Sequence, residues 1–187
     1  MNLFRFIKEA AAFRKALKTS IAQQQEKDAM ALTMTAEELS ALSDDDLLQA
    51  VFARIHRIVD SHADISAGFQ ALNQAQRIVY AVNYLEMEVN NGGLCQFFVN
   101  SSRMLAPVVS EYMGILGAAE HKQLYDDFIK NHQINVHDLS SFAINSIADF
   151  QERFERYPFS EYDDVFYKMA PLEQHLLPFI REHIDQM

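Results

Sequence analysis

Apolar residues recur along this chain at steps of three and four, the spacing that lines one face of an α-helix, and they nowhere alternate over a length that would make a convincing strand. Between residues 1 and 27, Phe6, Ala10, Phe13, Leu17 and Ile21 form such a stripe, while Arg5, Lys8, Arg14, Lys15, Lys18 and Lys27 occupy much of the remaining surface. This predicts a basic amphipathic helix forming an N-terminal arm over residues 1–30. The pattern breaks at Leu32 to Thr35. Thr35 and Glu38 have the spacing of a capping box, opening a short helix through Leu42. Ser43 starts the next helix, with Asp44, Asp45 and Asp46 in the first turn, where carboxylates meet the positive end of the helix dipole. Leu48, Val51, Phe52, Ile55 and Ile58 are its expected buried stripe.

Asp64 to Gly68 reads as a connector. Ala75, Ile78, Val79, Val82, Leu85 and Val89 then mark a helix from Leu72 to Val89, stopped by Asn90, Asn91, Gly92 and Gly93, since glycine suits a left-handed helix end. A short helical turn over Leu94 to Asn100 follows. Further helices are predicted over Met104 to Leu116, with Pro107 in the first turn, and over Ala118 to Asn131. After a loop at Gln133 to His137, Ile144, Ile147, Phe150, Phe154 and Tyr157 trace a helix closed by Pro158. The last pieces are a turn around Tyr162 to Met169 and a helix from Pro171 onward, with Leu172, Leu176, Phe179, Ile180 and Ile184 inward. The fold expected is all-α, a single-domain multi-helix bundle over residues 31–187 preceded by the arm.

Composition agrees, with five glycines and four prolines in 187 residues and nearly half of the residues apolar. A single cysteine, Cys95, excludes an internal disulfide and a cysteine-built zinc site, and a reducing cytoplasm is the expected setting. No apolar run approaches the roughly 20 residues of a membrane-spanning helix. The net charge of −10 is uneven: six cations against two carboxylates make residues 1–27 +4 and leave −14 for the remainder. An acidic body repels nucleic acid and favours basic protein surfaces. For the arm, packing on the domain or on a second copy is the expected role, ahead of contact with a membrane.

The candidate chemistry is sparse. At 100° per residue, Glu86 falls between Val82 and Val89, inside the apolar stripe, and Glu88 falls outside it. A buried carboxylate needs donors, so Glu86 is expected to brace the Asn91 to Phe98 turn. Gln96 and Asn100 lie one helical turn apart, and Phe97 and Phe98 are core anchors. An alternative reading makes Glu86, Gln96 and Asn100 the polar lining of a small-ligand or enzymatic pocket. The seven histidines never fall at metal-ligand spacing, no nucleophile elbow or nucleotide fingerprint occurs, and neither catalytic residues nor a cofactor are implied. Asp149, Glu152 and Glu155 recur every three residues, followed by Glu161, Asp163 and Asp164, with Asp126 and Asp127 upstream. Such carboxylates could imitate DNA phosphates towards Lys and Arg side chains.

Two segments, Glu86 to Ser101 (EMEVNNGGLCQFFVNS) and Tyr162 to His183 (YDDVFYK through FIREH), resemble a bacterial family filed as a domain of unknown function and named for a DNA-mimic protein. The resemblance covers residues 45 to 185 in matching order. Its signature falls here on Glu86, Asn91, Gly92, Gly93, Gln96, Phe97, Phe98, Asn100, Asp163, Tyr167 and His183, which read as framework. The resemblance implies an all-helical fold and, for the member that names the family, an acidic dimer that occupies the DNA-binding face of a transcription factor. The function expected is therefore non-enzymatic: an acidic face offered to a basic protein such as a transcriptional regulator, without direct binding to nucleic acid, and with homodimerisation as a further expectation.

Overall fold

The computed structural model describes the backbone from Leu3 to Met187 and the side chains from Phe13 onward, so Arg5, Phe6, Lys8 and Ala10 of the predicted arm lie outside the described side chains. Among the described residues the protein is all-α: α1 (Leu3–Ala31), α2 (Ala36–Ser40), α3 (Asp44–Asp60), α4 (Ile65–Ala71), α5 (Gln74–Val99), α6 (Ala106–Ile115), α7 (Ala119–Asn131), α8 (Ile147–Arg156), α9 (Phe159–Phe166) and α10 (Glu173–Glu182). Short 3₁₀ turns occupy Ser101–Leu105, Ser140–Phe142 and Ile184–Gln186. The chain divides into two compact units, residues 1–57 and 58–187.

In the first unit, α1 runs for 29 residues, and every residue from Phe13 to Lys27 is exposed. Of its stripe, the described side chains are exposed, Phe13 by 69%, Leu17 by 50% and Ile21 by 49%. The far end of the helix is anchored. There Arg54 donates through Nε to the carbonyl of Ala31 at 2.7 Å, at the helix C-terminus, and through Nη2 to that of Met34 in the following loop. Lys27 pairs with Asp46 at 3.1 Å. The capping box predicted at Thr35 and Glu38 forms, with both of its reciprocal hydrogen bonds. In α3, Leu48, Val51 and Ile55 are buried as expected, together with Leu47, whereas Phe52 and Ile58 are only half-buried.

The second unit is built around α5, whose first half is buried on most of its circumference. The expected connector at Asp64 to Gly68 is instead the start of α4: Asp64 caps it by accepting the Ala67 N–H at 2.8 Å. Gly68 is obligatory there, because a Cβ would stand 2.6 Å from the Val59 carbonyl oxygen. The core beyond α5 is aromatic. Phe98 is enclosed by Phe142, Phe159 and Tyr125, with ring centroids 5.2, 6.1 and 6.4 Å away, and the Tyr125 hydroxyl donates to the Ala106 carbonyl at 3.0 Å. Two terminal expectations need correction. Ile144 precedes α8 rather than lying in it, and Ile147 is 81% exposed, because Ser146 and Asp149 form a capping box that fixes the helix start at Ile147. The turn expected at Tyr162 to Met169 belongs to a longer helix, α9, that already begins at Phe159.

Candidate functional site

Of the framework residues, Gly92, Gly93, Gln96, Asn100, Asp163 and Tyr167 meet around a kink in α5. Helical geometry is interrupted at Gly92 and at Gly93, whose φ of +79° is a left-handed conformation that side chains disfavour. The interruption strands acceptors before the kink and donors after it. α9 and the Tyr167 that caps its C-terminus supply a partner for each side from two residues one turn apart. The Tyr167 hydroxyl donates to the Val89 carbonyl at 2.7 Å, and Asp163 Oδ1 accepts the Leu94 N–H at 2.9 Å. A Cβ on Gly93 would run into that Asp163 carboxylate, so glycine is required there twice over, by backbone angle and by space.

A second carboxylate closes the far side of the kink. Glu88, 7% exposed, accepts from Gln96 Nε2 at 2.6 Å and Asn100 Nδ2 at 2.9 Å on one oxygen and from Ser102 Oγ at 2.8 Å on the other. Three neutral donors solvate the buried group without any cation among these contacts. Glu86 takes no part in this network. It is half-buried and accepts the Leu172 N–H at 2.7 Å, capping the entry to α10. The expectation that Glu86 braces the turn while Glu88 lies outside the stripe is thus reversed. At about 100° per residue, Glu88 lies within about 20° of Ala81, and Ala81 is fully buried. The buried arc is centred nearer Ala81 and Leu85 than the larger Val82 and Val89 suggested.

Burial pushes the Glu86 carboxyl above its ordinary range, against the opposing pull of the Leu172 amide. Burial likewise raises Asp163, opposed by the Leu94 amide. Cys95, fully buried beside this kink, is pushed up to about 12 by burial and then by the nearby Asp163 charge, so its thiol stays protonated and behaves as the small hydrophobe expected. Phe97 and Phe98 are fully buried, Asn91 is exposed, and His183 closes α10 with Nδ1 2.9 Å from the Phe179 carbonyl and its ring stacked on Phe179.

The polar groups of the alternative pocket are therefore engaged elsewhere: Gln96 and Asn100 donate to Glu88, and Glu86 accepts a backbone amide. Neither of two surface clefts, one around Met30, Met34 and Leu42 and one around Ile144, Ile147 and Phe150, is lined by Glu86, Gln96 or Asn100. Among the described residues, no group of three or more His, Cys, Asp and Glu is placed to hold a metal. Ser102 and the buried His121, whose ring meets Phe166 at 5.4 Å and His175 at 6.2 Å, went unread in the sequence, where nothing local marks them.

The acidic residues divide. Asp163 is 8% exposed and spent on Leu94, which removes it from any partner-facing surface: its helical turn is aimed at Gly93. Asp149 caps α8, accepting the Asn145 and Ser146 N–H groups at 2.7 and 3.1 Å. Asp126 accepts from Ser110 Oγ at 2.5 Å and pairs with Lys122. Glu152, 71% exposed, pairs with Arg153 at 2.8 Å. Asp127, Glu155, Glu161 and Asp164 are exposed. The charge also divides by unit: residues 1–57 hold eight carboxylates and eight Lys or Arg, whereas residues 58–187 hold 18 against 8, so the entire net −10 falls in the second unit.

A family model described as DMP19-like protein matches residues 70–183, more than half of the chain and all of the kink with its α9 and α10 partners. No curated protein and no solved structure matches the chain.

Proposed function

This chain belongs to the DMP19-like family, and from that premise we propose that residues 58–187 form a non-enzymatic protein-binding body. Its exposed carboxylates would stand in for DNA phosphates towards the basic face of a DNA-binding protein such as a transcriptional regulator. The observation that carries this reading is the confinement of the whole net charge of −10 to that unit. The contacts are Asp127, Glu152, Glu155, Glu161 and Asp164, all exposed. Asp126 and Asp149 contribute to the local field while their oxygens are engaged internally. A single sign concentrated on one unit steers basic partners electrostatically, and the resulting affinity falls with ionic strength. α8 is not a pure acidic row, because Arg153 and Arg156 interrupt it. The exposed acids of α9 therefore carry weight alongside those of α8.

The test uses the full chain immobilised on a resin and exposed to a lysate of its source organism. A basic protein should be retained, should elute as salt is raised across the range where the Debye length shrinks below about 10 Å, and should be displaced by duplex DNA. A retained partner indifferent to both salt and DNA would remove phosphate mimicry.

A further inference from the structure

We propose that α1 is an interfacial anchor that lays the chain on a lipid surface rich in anionic headgroups. Phe13, Leu17 and Ile21, spaced four residues apart, present an exposed apolar stripe, and none of the residues from 13 to 27 is buried. In the sequence, Phe6 and Ala10 precede that stripe in the same register, and Arg5, Lys8, Arg14, Lys15 and Lys18 accompany it against Glu9 alone. An apolar stripe beside cationic residues is the pattern of helices that lie in a membrane interface. No helix among the described residues is long and apolar enough to cross one. Charge selects this occupant over a second copy: pairing two such helices would bring like cations together. The three exposed side chains are also far short of the roughly 1,200 Å² that a stable protein interface buries. An anionic headgroup layer neutralises the same cations and accepts the apolar stripe without needing a complementary surface.

The experiment is flotation of the full-length protein with vesicles of phosphatidylcholine alone and with about one-third phosphatidylglycerol. The protein should float with the anionic vesicles and remain behind with the neutral ones. Leu17→Asp and the pair Lys15→Glu with Lys18→Glu should each reduce the floated fraction about tenfold or more. All of these sites are exposed, so folding should be unchanged by circular dichroism. Failure to float with either vesicle would overturn the proposal. So would a wild-type dimer in light scattering that Leu17→Asp converts to monomer while vesicle binding is absent, which would assign the stripe to a second copy. Neither result bears on the acidic unit, whose partner binding is read separately.

Discussion

The carboxylates around the α5 kink and those along α8 and α9 are the same functional group in opposite service. Glu86, Glu88 and Asp163 have exchanged water for backbone amides and side-chain donors, each closing a defined helix end or turn. Glu155, Glu161 and Asp164 remain in water, where their charge acts at a distance instead of through a fixed contact. Asp163 and Asp164 are chain neighbours on opposite sides of this divide. Function in a charged protein is therefore assigned by environment at each carboxylate, and a net charge says nothing about which acids are available.

Substitutions that invade the kink should separate the two groups most sharply. Gly93→Ala forces a side chain into a left-handed conformation and against Asp163, and unfolding in denaturant should show a loss of about 3 kcal/mol or more. Glu88→Leu strands three donors and should cost about 3 kcal/mol, and Glu88→Gln should cost less because an amide oxygen still accepts. Tyr167→Phe removes one hydrogen bond to Val89 and should cost about 1 kcal/mol.

Acid should act through His121. Burial, then the neighbouring His175, depresses its pKa from the usual 6.5. The folded state therefore holds it neutral while the unfolded chain takes up a proton, so the stability it supports above about pH 6.5 falls as pH drops towards the folded value. Melting temperatures between about pH 7.5 and 5.5 should decline, and His121→Phe should flatten that decline. The smallest effect is expected at Tyr162, whose hydroxyl is buried with no hydrogen-bond partner among the described residues. Tyr162→Phe should leave unfolding unchanged or slightly later, since no bond is lost.

Much of this architecture was legible because its causes are local. Thr35 with Glu38, the stop at Gly92 and Gly93, and the aspartates opening α3 are short-range devices, and each appears where the spacing put it. What could not be read depends on distant partners. Spacing alone placed Asp163 in the acidic row although the family signature also includes it, because its target, Leu94, lies 69 residues away. Glu86 and Leu172 are 86 apart. The reversal of Glu86 and Glu88 had another origin: weighing the stripe by large residues hid the fully buried Ala81, and with it the direction of the core. The arm shows a different limit, since a helical period says that a face is apolar and nothing about what covers it.

The claim that interior acids hold the fold while exterior acids bind is tested most directly by one variant, Glu155→Lys with Glu161→Lys and Asp164→Lys, measured in parallel for unfolding and for retention of a basic partner on the immobilised protein. The account predicts a melting temperature within about 2 °C of the parent chain together with loss of salt-sensitive, DNA-displaceable retention. Retention equal to that of the parent chain, or a fall in melting temperature as large as that of Glu88→Leu, would contradict it.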